Sequence, residues 1–382
     1  MSNKALDQLA EDFFQESLES SPTSAIMRGH KKYFDQIEEL TEEKFENESE
    51  KVKSFKHRLN ELDFDSLTSK ERVTYGMLEF ALDSNSDSLI DKSWEFSAGV
   101  AGFKGFLIDY NQQMFVPDNE SADMLLRRLE LYQRFYSQIS NVQKKGLENK
   151  RVATQRNLNR SIDQLESYLE TSLDNDPLLL VNFAPTVSEK EISEWKEKAK
   201  GVIEKYVRPS VMSYLDQLRT EHLPKGRTDE NPGIMWIDGG EEVYLRSLRK
   251  YTGHRETTVK EVHEIGLSEV ERLKKEFLQI GKDVFDGVKS PEDVIHKMQT
   301  EPSMRYESKE QMLQLAEDTI ERAYKPLEEW FTVFPKAPCK VLPVPTQSEK
   351  HAPPAYYFPP LPFRRSCLMP GIHCTILCCH IF

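Results

Sequence analysis

The chain has 382 residues, with 64 acidic and 51 basic side chains and a formal net charge of −13. That length can bury a sizeable core, in one large helical domain or in two domains. The acidic balance repels phosphate backbones, so we do not expect nucleic-acid binding. No apolar run approaches the roughly 20 residues that span a bilayer, and acidic residues interrupt the beginning of the chain, where a secretory signal is apolar. We therefore predict a cytoplasmic protein that does not bind membranes.

Three helices are predicted in the first part of the chain. The first runs from Asn3 to about Ser20, the second from about Phe34 to Glu61, and the third from Thr68 to Leu82. Thr68 and Glu71 have the spacing of a capping box, in which each side chain bonds the backbone of the other residue. The outer faces of these helices are rich in Glu and Lys, which is typical of solvated surfaces.

The middle of the chain is aromatic and then helical again. The segment from Trp94 to Pro117 carries glycines three residues apart, which favours a loop between helices. Helical spacing returns in three segments, which are Ser121 to Leu147, Arg151 to Thr171, and Ser188 to Leu223. Pro209 lies inside the last of these helices and predicts a kink, because proline forfeits a backbone hydrogen bond.

Composition divides the chain into four regions. Residues 1–223 form an N-terminal helical region, and residues 224–240 form a linker rich in Gly, Pro and charge. Residues 241–360 form a second helical region with a Pro-rich end, and residues 361–382 form a Cys-rich tail that we expect to be disordered. The predicted elements of the second region are helices near Val243 to Lys250, from Thr257 to Ile280, from Ser290 onward and from Ser308 to near Phe334, followed by one short strand within Cys339 to Pro345.

The clearest helix is the one from Thr257 to Ile280. Its apolar side chains recur at steps of three and four residues, which predicts one apolar and one solvated face. His263 and Glu264 would begin a zinc-binding H-E-x-x-H sequence if a second histidine followed four residues after the first, but that position is Leu267. The two residues are interpreted as a pair on the helix surface or core edge, with contact to a substrate cleft as the alternative.

No other pattern predicts catalysis or metal binding. His222, His254 and His296 have the pattern of ordinary surface histidines, and no nucleophile motif surrounds Cys339. The four cysteines of the tail are too close together for a structural zinc site, which separates two ligand pairs by a loop. The sequence therefore predicts no catalytic residue and no metal ligand.

Three segments resemble the protein family known as domain of unknown function 885. They are YLRSLRKYTG from Tyr244 to Gly253, VKEVHEIGLSEVERLKKEF from Val259 to Phe277, and APPAYYFPP from Ala352 to Pro360. Members of the family are largely helical and resemble zinc metallopeptidases of the gluzincin type. The resemblance implies a peptide hydrolase in which two histidines and an acid hold zinc while a glutamate activates water.

In full-length relatives the zinc-binding sequence, H-E-x-x-P-G-H, lies downstream of the segment that matches APPAYYFPP. Residues 361–382 depart from that pattern, and we expect them to be an aberrant tail of a truncated chain. No zinc ligand is therefore transferred, zinc is expected only in the full-length relatives, and this chain is predicted to be inactive. The alternative is a non-enzymatic helical protein that binds peptides or acts as a scaffold.

The predicted fold is mainly α, a multi-helix array resembling the N-terminal part of a helical zinc metallopeptidase, with an irregular C-terminal tail. Four residues are candidates for lining a peptide cleft, namely His263, Glu264, Tyr356 and Tyr357. Peptides are the expected partners, and the sequence does not indicate an oligomeric state.

Overall fold

The structure, a computed structural model, describes residues 3–97, 108, 111, 114–332, 339–343, 355–358 and 374–378. It is mainly helical, which confirms the predicted fold class. The chain divides into two compact units, Met1–His254 and Arg255–Phe382.

The first unit is built from helices and one pair of very short strands. Its helices are α1 Lys4–Ser20, α2 Pro22–Met27, α3 Glu42–Asn60, α4 Ser69–Asp91, α5 Asn119–Glu130, α6 Tyr132–Glu148, α7 Gln155–Glu170, α8 Glu189–Val202, α9 Arg208–Gln217 and α10 Gly240–Thr252. Strand β1, Phe115–Val116, pairs in parallel with strand β2, Asn182–Phe183. Most of the predicted loop from Trp94 to Pro117 lies outside the described residues.

Side-chain caps explain where several helices begin. The capping box of Thr68 and Glu71 is formed at the start of α4, and that of Ser188 and Glu191 at the start of α8. The predicted start of the second helix at Phe34 is wrong, because Thr41 accepts a hydrogen bond from the backbone of Lys44 and begins α3 at Glu42. Caps of this kind satisfy backbone N–H groups that have no partner within the helix.

Pro209 is accommodated without ending its helical segment. A stretch of π-helix, Ile203–Val207, precedes α9, and Pro209 occupies the first turn of α9, where its missing N–H is tolerated. A second π-helical stretch, Leu218–His222, follows α9. The structure thus places the irregularity before the proline and again after α9.

Two apolar clusters form the core of the first unit. The smaller one joins α1, α3 and α4 through residues such as Leu6, Leu59 and Leu82. The larger one joins α5, α6 and α7 to the segment from α8 to Leu218, and it includes Leu125, Tyr136, Leu165, Trp195 and Val211. Each large apolar side chain that is fully buried contributes about 1.5–3 kcal/mol.

The predicted linker, residues 224–240, has specific contacts with the first unit. The backbone N–H of Arg227 donates to the Ala153 carbonyl, and the Arg227 carbonyl accepts from Gln155. The guanidinium of Arg227 also donates to the Val152 carbonyl at 2.9 Å. The predicted domain boundaries stay a prediction, and the division into units by contacts falls later, after His254.

The second unit contains α11 Val259–Val284, α12 Pro291–Thr300, α13 Lys309–Tyr324 and α14 Leu327–Trp330. Thr258, Ser290 and Ser308 cap the first three of these helices, as their positions in the sequence predict. The predicted end of the last helix near Phe334 is wrong, because α13 ends at Tyr324 and the separate α14 begins after Pro326. Proline removes a backbone donor and disfavours continuation of a helix through its position.

Three strands complete the second unit. They are β3 Cys339–Pro343, β4 Ala355–Phe358 and β5 Cys374–Cys378. Strand β5 lies in the middle of the sheet, parallel to β3 and antiparallel to β4. The strand predicted within Cys339 to Pro345 is therefore present, whereas the sequence did not predict β5 within the tail.

Candidate functional site

Helix α11 carries a line of apolar side chains that remains open to solvent. Val270, Leu273, Phe277, Ile280 and Val284 follow each other at alternating steps of three and four residues. Val270, Leu273, Ile280 and Val284 are 48%, 50%, 55% and 54% exposed, and Phe277 is partly buried. This alternation is the heptad pattern by which one helix packs against another. We call these five residues the apolar line.

One edge of the apolar line is already packed against α12. Gly281 is the buried residue of α11, and its backbone lies directly against the side chain of Val294 on α12. A Cβ atom at Gly281 would lie 2.3 Å from Cγ2 of Val294, closer than carbon atoms approach in proteins. Glycine at this position therefore lets the two helices approach closely.

Acidic side chains flank the other edge. Glu269, Glu276 and Asp283 recur at intervals of seven residues and are exposed. Arg272 lies between the first two and pairs with both, with nitrogen–oxygen distances of 2.9 Å to Glu269 and 2.7 Å to Glu276. We call these three carboxylates the acidic edge. One arginine offsets three carboxylates, so the acidic edge keeps a negative balance.

The four predicted cleft residues lie in two elements of the second unit. His263 and Glu264 are exposed near the start of α11, and Glu264 pairs with Lys260 one turn earlier, at 3.7 Å. Tyr356 and Tyr357 lie in β4, at the edge of the sheet, and Tyr357 is exposed. Their role in a peptide cleft stays a prediction.

Within the residues that the structure describes, no group of three or more His, Cys, Asp or Glu side chains is placed to hold a metal ion. Zinc in a hydrolase needs three protein ligands and one open position. The described side chains therefore do not fit a catalytic zinc, and no chemical step is assigned to one. The cysteines of the tail lie outside the described residues or in β5.

The prediction that His222 lies on the surface is wrong. Its side chain is buried in the first unit, and its Nδ1 atom lies 3.3 Å from the Gln217 carbonyl oxygen. Burial lowers the pKa of His222, because the charged imidazolium is poorly solvated there. The nearby ion pair between Lys144 and Glu221 is exposed, at 2.9 Å. Sequence periodicity did not predict this burial, because His222 is the last residue of the irregular π-helical stretch Leu218–His222.

Among the described residues of the first unit, Asp176 has the most buried carboxylate. It accepts hydrogen bonds from Arg208 Nη2 and from the Leu178 backbone, each at 3.0 Å. Burial raises the pKa of Asp176 despite these donors. Tyr168 OH also lies 3.4 Å from the carboxylate, and burial raises the pKa of Tyr168. These contacts tie the carboxylate to α7, α9 and the backbone of Leu178.

A second ionic cluster ties α10 to the rest of the first unit. Arg151 pairs with Glu95 at 2.8 Å, and Arg246 pairs with Asp91 at the end of α4. Burial raises the pKa of Asp91, and the bond from Arg246 opposes that effect. Each arginine pairs with a carboxylate of the protein, so we assign this cluster to the packing of α10.

A shallow cleft of about 400 Å³ lies beside the start of α7. Its lining is entirely polar, and Arg156 and Asp229 pair across it at 2.6 Å. Binding sites for peptides and small molecules are mostly apolar with a few polar anchors. The apolar line of α11 fits that description better than this cleft does.

Fold and site together define a mainly helical protein with an apolar helix face that is about half exposed to solvent. None of the helices that the structure describes is both long and apolar enough to cross a membrane. The family model described as "Bacterial protein of unknown function (DUF885)" matches residues 22–370, so the chain belongs to this family. The family predicted from the sequence is therefore confirmed.

The chain is similar in fold to several solved structures, including the following two. "The crystal structure of the putative lipoprotein from Colwellia psychrerythraea" aligns with a TM-score of 0.82 and 16% identity, over 98% of this chain and 67% of that one. The structure of "a putative lipoprotein of unknown function from Shewanella oneidensis" aligns with a TM-score of 0.57 and 17% identity, over 99% of this chain and 65% of that one. At such identities the likeness shows the fold alone, and the chain spans about two thirds of the length of both relatives. No curated protein matches the chain significantly.

Proposed function

We propose that this chain is a polypeptide-binding helical module of a family related to zinc peptidases, and that it holds its partner without hydrolysing it. The observation that carries the proposal is the apolar line of α11, four members of which are about half exposed. Contiguous apolar side chains at helical spacing on a protein surface mark sites of protein interaction. Isolated exposed apolar residues would carry no such meaning.

The expected affinity follows from the size of the line. Fully burying a Val, Leu or Ile side chain contributes about 1.5–3 kcal/mol, so completing the burial of four half-exposed ones gives roughly 3–6 kcal/mol. The partner contributes a similar amount, and association costs on the order of 4–15 kcal/mol. Binding in the micromolar range or weaker is the result we expect.

The absence of hydrolysis is proposed from the sequence. The sequence contains no H-E-x-x-H motif, and its one H-E pair, His263 and Glu264, is followed by Leu267 where such a motif has its second histidine. A leucine side chain cannot coordinate zinc. Zinc is proposed for longer relatives that carry the complete sequence, with no ligand assigned to residues of this chain.

Binding is tested with a fluorescent helical peptide of 21 residues that has leucines at alternating steps of three and four. Fluorescence anisotropy should show saturable binding to the full chain and at least tenfold weaker binding to Ile280→Asp, because a carboxylate interrupts the apolar line. The matched control is Ile295→Asp on α12, where the side chain is 46% exposed but lies outside the line. Equal losses in both variants, or no binding to the native chain, would refute the proposal.

Hydrolysis is tested separately by incubating the full chain and unlabelled peptides with zinc chloride or with a chelator. Mass spectrometry should find intact peptides in both cases. Zinc-dependent cleavage that co-purifies with the native chain would show that the proposed lack of chemistry is wrong.

Two cellular locations are proposed for the protein, the cytoplasm and a membrane to which it is attached as a lipoprotein. The sequence predicts the cytoplasm, whereas the descriptions of both solved relatives read "putative lipoprotein". Fractionation of cells that produce the native protein separates the two possibilities. A cytoplasmic protein leaves with the cytosol, and a lipoprotein stays with membranes until detergent is added.

A further inference from the structure

The partner of the apolar line has a recognisable chemistry, which we infer from the shape and charge of α11. We propose that it is an amphipathic helix with basic side chains along one flank, lying on the apolar line with that flank against Glu269, Glu276 and Asp283. This inference rests on the proposed function, because it names the class of polypeptide that the same surface binds.

The spacing of the apolar line favours a partner in helical conformation over one in extended conformation. Val270, Leu273, Phe277, Ile280 and Val284 occupy the alternating positions that accept knobs from a facing helix. A strand binds mainly through backbone hydrogen bonds to a free sheet edge, and the backbone groups of α11 are bonded within the helix. Helix against helix is therefore the packing that this surface offers.

The acidic edge of the apolar line favours a partner helix with basic side chains along one flank. On the side of Gly281, the approach is occupied by Val294 of α12. On the opposite side, the acidic edge presents three carboxylates with the same heptad spacing as the apolar line. In paired helices, the residues that flank the apolar seam meet their counterparts and determine which partner is preferred. Lysine or arginine at the facing positions gives three attractive contacts.

A second copy of this chain is a poorer match. In a parallel pair, Glu269 would face Lys274 of the other copy, but Glu276 would face Gly281, which carries no charge and is covered by Val294. In an antiparallel pair, acidic edges would face each other. The chain also has a net charge of −13, which opposes self-association.

An anionic lipid surface is a poorer match to the acidic edge than a basic polypeptide is. Helices that bind anionic membranes carry Lys and Arg beside their apolar face. Beside the apolar line of α11, the open edge carries carboxylates instead. The acidic edge therefore favours a polypeptide partner.

The test uses two synthetic helical peptides with identical apolar residues, one with lysine and one with glutamate at the flanking positions. Anisotropy with the full chain in low salt should show that the lysine peptide binds about tenfold tighter or more, because three attractive contacts replace three repulsive ones. The difference should shrink in about 0.5 M salt, which screens exposed charges. The triple variant Glu269→Lys, Glu276→Lys and Asp283→Lys should prefer the glutamate peptide.

The matched control reverses three exposed charges that belong to other segments than α11, in the triple variant Glu292→Lys, Glu307→Lys and Glu317→Lys. It changes the net charge equally and should keep the preference for the lysine peptide. Circular dichroism establishes that both variants are folded, and the comparison of the two peptides on the native chain stands without them.

Failures of the inference and of the proposed function are distinguishable. Equal affinity for both peptides overturns the basic flank and leaves polypeptide binding intact. No binding of either peptide overturns both. A dimer in sedimentation that Ile280→Asp dissociates would show that a second copy occupies the line, and would overturn the basic partner.

Discussion

The buried carboxylate of Asp176 predicts a large difference between two neighbouring aspartates. Asp176 is 0% exposed and pairs with Arg208 at 3.0 Å, whereas Asp174 is 80% exposed and pairs with Lys200 at 2.6 Å. The two ion pairs have similar distances and differ mainly in burial. Asp176→Ala and Asp174→Ala therefore isolate the effect of burial on the stability of the first unit.

The magnitudes follow from what each substitution leaves behind. Asp176→Ala leaves the Arg208 guanidinium, 18% exposed, without its carboxylate, and it removes the acceptor of the Leu178 N–H. Breaking a buried ion pair costs about 3–5 kcal/mol, and the partial exposure of Arg208 favours the lower end. Solvent screens exposed ion pairs, so Asp174→Ala should change the free energy of unfolding much less than Asp176→Ala does.

Urea denaturation at pH 7 measures both variants against the native chain. Tryptophan fluorescence reports mainly on the first unit, which contains three of the four tryptophans, Trp94, Trp195 and Trp236, and circular dichroism reports on both units. The midpoint should fall strongly for Asp176→Ala and only slightly for Asp174→Ala. If the two midpoints shift equally, burial of Asp176 does not carry the stability that its contacts indicate.

Two further predictions concern the interior of each unit. Burial lowers the pKa of His222 in the folded protein, so the unfolded chain takes up a proton at a higher pH than the folded chain does. The free energy of unfolding should therefore be highest above the ordinary pKa of 6.5 and should fall as the pH drops below it. Urea midpoints between pH 5 and 8 should show this fall in the native chain, and His222→Gln should reduce it; an unchanged slope would contradict the buried position. Gly281→Ala should destabilise the second unit by roughly 1–3 kcal/mol, because its new Cβ meets Val294. Gly266→Ala, where nothing lies within 4 Å, should instead stabilise α11 by about 0.5–1 kcal/mol in thermal melts. Equal effects of the two alanine substitutions would refute the close approach of α11 and α12 at Gly281.

Local signals in the sequence predicted many helix starts. Thr68, Ser188, Thr258 and Ser290 each cap the helix that follows them, because the cap depends on residues only three positions apart. Phe34 shows the limit of periodicity, since its apolar side chain is buried by tertiary packing rather than on a helix. Helix propensity alone could not show whether an apolar pattern belongs to a helix face or to a segment that tertiary packing buries.

Contacts between distant residues were not predictable. Strand β5 pairs with β3 and β4, although other segments lie between these strands in the sequence. The burial of His222 depends on the helices packed around it. The apolar face of α11 was predicted from its spacing, but the spacing alone indicated a packed face. The structure shows that four of its members remain about half exposed, and that exposure carries the proposed function.

The most direct measurement of the central claim is hydrogen exchange of the full chain with and without the lysine-flanked peptide. Binding on the apolar line should slow amide exchange in residues 259–284 and leave the other helices unchanged, because covered helices open less often. Helix α4 provides an internal comparison, since Val73, Met77 and Phe80 also form an exposed apolar stripe. Protection of α4 without protection of α11, or no protection in either helix, would contradict the account.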